Sequence, residues 1–263
     1  DLVAFGGDPL RLLTAPAPTD RAAVMFTSGT TGVPKGVEVT QANYAFAGRT
    51  MAAAAGLDET DRQLVVLPLF HANAQYYSFA ASIWAGASVA LMSSFTASGF
   101  LGQAARHEAT TASLFAAPMR MILARGRPVD DLRLRQCWFA QNLGVEQYET
   151  ISGWFGCRPR QLYGMTETIP AVLTEEAEKP EPLSMGMVTE GCLVDVQRTD
   201  GTPVGVGEVG EVVVGGQRGT TLFAGYLDDP ETTDASFRKS WFLTGDRARR
   251  DDGGRHYFDG RRS

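Results

Sequence analysis

A layered α/β sheet core followed by a smaller, mainly β subdomain is the fold this sequence predicts, and two observations predict it. Short apolar runs alternate with helix-patterned segments between residues 63 and 155, the grammar of a sheet covered by helices. After Ala171 the composition shifts to short β-favourable runs separated by turn signals.

The elements follow in order. Asp1 opens the chain without a methionine, and a polar, Pro-rich stretch of about twenty residues with no signal-peptide arrangement reads as an internal boundary. A helix is predicted after Thr40, carried by the small and apolar side chains of 43–55 and stopped at Gly56. A buried strand at 63–67 ends at Pro68. Then come a helix at 75–84, a strand at 87–92, a helix at 96–106, a strand at 111–116, a short helix at 118–124, a strand at 135–140 and a helix at 147–155. Such a sheet brings its loop ends to one cleft. The segment 175–182 is acidic and Pro-rich; strands are then expected at 191–197, 211–214, 220–224 and 256–258, with Asp200-Gly201 as a hairpin turn. Residues 1–183 and 184–263 are therefore expected to form two subdomains.

Composition excludes several classes. The chain is long enough for a sizeable core, and 44% hydrophobic with 21% charged residues is a soluble globular balance. No run of about eighteen apolar residues offers a membrane span, so a cytoplasmic location is the default expectation. A net charge of -6 gives no broad basic surface for nucleic acid. Cys137, Cys157 and Cys192 lie far apart and read as structural thiols; His71, His107 and His256 form no local zinc cluster. Trp84, Trp138 and Trp154 are read as core.

Two constellations carry chemistry. Thr27-Ser28-Gly29-Thr30-Thr31-Gly32-Val33-Pro34-Lys35-Gly36 combines glycines that let a backbone approach an anion, hydroxyl donors and a mobile positive charge, so a nucleotide is the first ligand to consider. Lys35 is followed by glycine, and the run is no Walker A motif. In Gln161-Leu162-Tyr163-Gly164-Met165-Thr166-Glu167-Thr168, Tyr163 offers a ring face to a base, Thr166 a phosphate donor and Glu167 an oxygen ligand for magnesium. Alone, this second pattern is as compatible with a turn or a helix cap.

With Trp241-Phe242-Leu243-Thr244-Gly245-Asp246 and Gly260-Arg261-Arg262 added, the four blocks, in this order and spacing, resemble the adenylate-forming superfamily of acyl- and aryl-CoA synthetases, peptide-synthetase adenylation domains and beetle luciferases. Within it the chain looks most like carnitine/crotonobetaine or medium-chain acyl-CoA ligases. The resemblance implies an ATP-dependent, AMP-forming ligase that activates a small carboxylic acid as an acyl-adenylate and passes it to CoA. It implies ATP phosphates held by Thr27, Ser28, Gly29, Thr30, Thr31 and Gly32 with Lys35 nearby, adenine on Tyr163 beside Gly164, an α-phosphate contact from Thr166, Mg2+ on Glu167, and ribose hydroxyls at Asp246 and Arg261. Pro68-Leu69-Phe70-His71 resembles the border of the acyl pocket, where His71 orients a carboxylate, gates the pocket or is simply structural. Gln141 and Asn142 are expected to line both nucleotide and acid space.

Departures from the family pattern are Gln41 where histidine is frequent, Met187 where arginine is common, and Ser263 at the hinge. The resemblance also implies that a C-terminal lid and an N-terminal stretch of the large domain are missing from the chain. Two other readings stay open: an adenylation domain that loads a carrier-protein thiol, and a non-catalytic fragment that binds ATP or acyl-adenylate. A homodimer is compatible with all three.

Overall fold

The computed structural model describes residues 15–27 and 34–261. Strand β1 (Arg21–Thr27) turns back into β2 (Lys35–Thr40), whose Val37 and Val39 are fully buried. Helix α1 (Gln41–Ala55) starts where Thr40 and Asn43 close a reciprocal capping box and ends at Gly56 in the left-handed region, φ 58°. β3 (Arg62–Val65) follows, then a π-helix at Asn73–Ala80 continued by α2 (Ala81–Ala85). The helix expected at 75–84 is thus mostly π-helical; the wider turn brings Tyr76 and Tyr77 into the core, while Trp84, expected there, is 55% exposed.

The alternation continues through β4 (Ser88–Leu91), α3 (Phe100–Arg106), β5 (Thr111–Phe115), α4 (Ala116–Arg125), β6 (Gln136–Ala140), α5 (Val145–Phe155) and β7 (Arg160–Tyr163), and the short β8 (Leu173–Thr174) and β9 (Met187–Val188) close the sheet. Its order is β4-β3-β5-β6-β7-β8-β9, parallel from β4 to β7 and antiparallel at the last two pairings. The chain moves outward from β3 to β4 and then crosses to β5, so the order reverses between β3 and β5. In open α/β sheets that reversal opens a crevice at the carboxyl ends of the strands. Buried side chains on the two faces form two clusters, one around Leu64, Leu114, Phe139 and Ile151, the other around Met51, Tyr76, Trp138 and Phe223.

The opposite edge of the sheet is pinned by charge. Asp61 is buried and ion-paired with Arg135, and it accepts from Thr110 Oγ1 at 2.7 Å. Arg135 also donates to the carbonyl of Gly56 at 2.8 Å, which ties the end of α1 to the start of β6. Burial works against the Asp61 charge, but the Arg135 and Thr110 hydrogen bonds outweigh it and hold the carboxyl below its usual range.

The rest of the chain is antiparallel. β10 (Leu193–Gln197), β11 (Gly210–Gly215), β12 (Gly225–Tyr226), α6 (Pro230–Ala235), β13 (Phe237–Arg238), β14 (Trp241–Arg250) and β15 (His256–Arg261) follow in turn. β10, β11, β14 and β13 make a sheet whose β14 also pairs with β15, while β12 joins β2 and β1 in a separate three-stranded sheet. The strand expected at 220–224 is a turn instead. Asn43 Nδ2 donates to the carbonyls of Thr220 (2.8 Å) and Leu222 (2.9 Å), and Thr40 Oγ1 to that of Gly219 (2.7 Å), so the cap of α1 takes up groups that a ladder would need. Asp200-Gly201 does make its turn, with Gly201 at φ 87° and Thr202 N donating to Asp200 Oδ1 at 2.8 Å.

Candidate nucleotide-binding cleft

Three cavities meet at Gly164 and Met165, in the loop that leaves β7. Gly164 is required by close approach: a Cβ there would lie 2.8 Å from the Pro170 carbonyl oxygen and from Tyr77 Oη. The loop is held by Thr168, whose Oγ1 accepts from Met165 N at 2.8 Å. Ile169, fully buried, sits at φ 72°, a conformation that a β-branched residue rarely adopts; the strain lies at the foot of the cleft.

The first cavity, about 360 Å³, brings together Thr27, Lys35, Thr166, Glu167, Thr244 and Arg261. Glu167 is buried and accepts from Tyr226 Oη at 2.9 Å; Lys35 Nζ stands 4.7 Å above the Tyr226 ring. Burial raises the Glu167 pKa, with Tyr226, Lys35 and Arg261 pulling the other way. Magnesium takes oxygen ligands and completes its shell with substrate phosphates and water around one or two carboxylates, and a single carboxylate in this cavity fits that pattern. Among the described residues no group of three or more His, Cys, Asp or Glu could cage an ion unaided.

The second cavity, about 590 Å³, is lined by Gln141, Asn142, Tyr163, Gly164, Asp246 and Arg261, together with Phe115 and Met185. Asp246 is buried at the head of a short network: Tyr163 Oη donates to its Oδ2 at 2.9 Å and Arg261 Nε to its Oδ1 at 2.8 Å. An ionised carboxylate has about four acceptor sites, so each oxygen keeps capacity for a hydroxyl. Asn142 Oδ1 accepts from Gln161 Nε2 at 3.1 Å, and Gln141 carries a positive φ of 72° at the exit of β6.

The third cavity, about 170 Å³, lies at the reversal of strand order and is lined by His71, Tyr77, Phe115, Leu162 and Thr166. His71 is exposed and meets Phe70 and Phe115 edge on or tilted, ring centroids 4.8 and 6.5 Å away.

Of the residues that sequence singled out, Thr27, Lys35, His71, Gln141, Asn142, Tyr163, Gly164, Thr166, Glu167, Asp246 and Arg261 all border this cleft. Ser28, Gly29, Thr30, Thr31 and Gly32 lie outside the described residues. Sequence reasoning missed Tyr226, Tyr77, Phe115 and Met185. The three thiols have no part in the cleft, and burial raises their pKa, Cys157 to about 11 and Cys192 to about 12, which suits their structural reading.

A family model described as AMP-binding enzyme matches residues 7–227. The chain is 34% identical over 256 residues to crotonobetaine/carnitine–CoA ligase of Salmonella arizonae, covering 95% of this chain and 50% of that protein. Among solved structures it resembles o-succinylbenzoate coenzyme A synthetase of Bacillus subtilis in complex with ATP and magnesium ion, with a TM-score of 0.83, 29% identity, and coverage of 99% of this chain and 54% of that one. The same enzyme in complex with the acyl-adenylate intermediate matches with a TM-score of 0.82 and 30% identity over 94% of this chain and 50% of that one. The chain therefore spans about half the length of the relatives it matches.

Proposed function

The chain belongs to the AMP-binding enzyme family, and from that premise we propose that it forms the nucleotide-binding core of an ATP-dependent, AMP-forming acyl-CoA ligase. One observation carries the reading: the polar cavity of Lys35 and Glu167, the Tyr163–Asp246–Arg261 network and the small cavity at His71 all open onto Gly164 and Met165. A nucleotide and an acid can meet there.

In this reading the Tyr163 ring borders the adenine, Gln141 and Asn142 supply polar edges, and Asp246 with Arg261 receives the ribose hydroxyls. Thr27 and Lys35, with the run 28–32, hold the phosphates. Glu167 would hold Mg2+, which when bound neutralises phosphate charge. Thr166 lines both the phosphate and the acid cavities, as a donor to the α-phosphate must. His71 orients the incoming carboxylate. A carboxylate oxygen attacks the α-phosphorus, the bond to the β-phosphate oxygen breaks, and acyl-AMP and pyrophosphate result. Fixed donors aimed at the developing charge supply the acceleration. In the whole protein the CoA thiol then attacks the acyl carbon, its proton leaves to solvent, and AMP departs. A cytoplasmic setting fits this chemistry; among the described residues no helix is long and apolar enough to cross a membrane.

The test is a screen of carboxylic acids for acid-dependent pyrophosphate release by the full-length protein, with CoA consumption followed separately. The expected result is release that needs both acid and Mg2+, with one CoA consumed per AMP formed. Release without CoA consumption would instead point to a carrier-protein thiol as acceptor. No acid-dependent release with any acid would overturn the reading.

A further inference from the structure

The inference concerns the chain's own residues around the expected metal ligand, and it rests on the nucleotide reading above. We infer that Tyr226 is a positioning residue: its hydroxyl aims the Glu167 carboxylate into the phosphate end of the cleft, with Lys35 set over its ring.

Tyr226 lies at the end of the two-residue strand β12, and its backbone pairs with Val37 of β2, two residues from Lys35. Its amide donates to Thr233 Oγ1 at 2.8 Å, and its ring meets Phe223 edge to face at 4.9 Å, so backbone and ring are both fixed. Two tethers then run from this segment to one residue of the β7 loop. Phe223 N donates to the Glu167 carbonyl at 2.9 Å, and Tyr226 Oη donates to Glu167 Oε1 at 2.9 Å. The first fixes the backbone of Glu167, and the second fixes the direction of its side chain.

A phenol has one proton to give. Tyr226 Oη gives it to Glu167 Oε1, at 2.9 Å. Anchoring Oε1 in this way fixes the direction of the whole carboxylate, the arrangement in which an outer group orients a metal ligand. The Lys35 ammonium over the ring adds a cation–π contact and places the same positive charge near the carboxylate. The phosphate-handling strand and the metal-handling loop are thereby joined through one aromatic side chain.

The test uses the full-length protein and binding of a fluorescent ATP analogue titrated with Mg2+. Tyr226→Phe keeps the ring, the packing and the cation–π contact and removes only the donor. The expected result is a roughly 10-fold to 100-fold rise in the Mg2+ concentration for half-saturation, the usual loss for a group orienting a metal ligand. Metal-free analogue binding should change by less than about twofold, because the hydroxyl's one proton is given to Glu167 rather than to the nucleotide. In a Glu167→Gln background the same substitution should add nothing, since the two groups act as a unit.

Arg135→Ala separates positioning from general loosening, because it weakens the far edge of the sheet and leaves the Tyr226–Glu167 pair untouched. Native Mg2+ half-saturation in that variant is required even if its melting temperature falls. An unchanged Mg2+ requirement in Tyr226→Phe would overturn the inference while leaving the nucleotide reading intact. Equal loss of metal-free and Mg2+-dependent binding, or an Arg135→Ala variant with the same Mg2+ defect, would also overturn it. Wild-type protein that binds the analogue with no Mg2+ dependence would remove the nucleotide reading and the inference together.

Discussion

Glu167 pairs function against stability. Its carboxyl is buried and its pKa raised, first by desolvation, so holding it ionised at neutral pH costs folding free energy. The sign follows from linkage: with the folded pKa above the unfolded one, the group's favourable contribution is present at low pH and is lost as pH rises through the folded value. Glu167→Gln removes that penalty and keeps an acceptor for Tyr226. The apo variant should therefore melt higher, by roughly 2–4 °C for each kcal/mol recovered, and its melting temperature should depend less on pH in that window. Mg2+-dependent nucleotide binding should fall at the same time. Scanning calorimetry beside Mg2+ titration checks both; a lower melting temperature, or unchanged Mg2+ dependence, contradicts the assignment. Gly164 gives the steric counterpart. An added Cβ would stand 2.8 Å from the Pro170 carbonyl oxygen and 3.0 Å from Ala171 Cα, and backbone cannot yield as a flexible side chain does. Overpacking of this kind costs roughly 1–3 kcal/mol, so where the loop bears that cost in the bound state Gly164→Ala should weaken nucleotide binding by roughly 5-fold to 150-fold. Native affinity in equilibrium binding would show that the loop has room.

The elements divide the sheet into an edge for chemistry and an edge for stability. Cleft residues follow the carboxyl ends of β3, β5, β6 and β7, whereas the Asp61–Arg135–Thr110 cluster sits where β3, β5 and β6 begin. Arg135→Ala leaves a buried carboxylate with its hydrogen bonds from Thr110 and Asp58 N but no cation. Allowing for a half-exposed guanidinium, the loss should be roughly 2 kcal/mol, or about 4–8 °C in Tm, with nucleotide affinity unchanged. Thermal melting beside nucleotide titration measures both, and an affinity loss as large as the stability loss would contradict the division. The same elements mark how far sequence reaches. α1 was legible because a cap, a run of small and apolar side chains and a left-handed glycine punctuate it, α5 because a helical pattern of side chains runs up to Gly156, and the parallel strands β3 to β6 because apolar runs alternate with helices. β2, β7 and β14 were not, since their residues sit within or beside motif segments whose composition speaks of chemistry rather than alternation. The π-helix was not, because an apolar helical pattern has no mark for a widened turn.

At the scale of the molecule, the cleft exists only because separate sheets bring their loops together, and that explains which site residues were readable. Lys35 and Glu167 stood out through their side-chain types within motif segments, whereas Asp246 and Arg261 were reached only through the family resemblance. Tyr226 and Tyr77 did not, for an aromatic residue among apolar neighbours reads as core, and only tertiary packing turns each hydroxyl toward the β7 loop. The sheets share a buried apolar cluster that includes Val37, Leu162, Val214 and Phe242, and polar ties cross between them as well. Arg255, in the turn before β15, donates to Glu175 at 3.0 Å and to Glu176 at 2.6 Å, giving the acidic stretch a structural use. Tyr163 reaches Asp246, and Tyr226 reaches Glu167. A nucleotide in the cleft would touch the β7 loop, β2 and the β14–β15 pair at once, so its binding energy should appear as shared stability across all three. At a ligand concentration of 100 times Kd that energy is about 2.7 kcal/mol, which slows globally exchanging amides roughly 100-fold. Hydrogen exchange with Mg2+ and ATP should therefore show protection rising together in the segments 35–39, 164–168 and 243–247. Protection confined to one sheet would mean that the loops face a ligand separately, and the single cleft on which the functional reading depends would be lost.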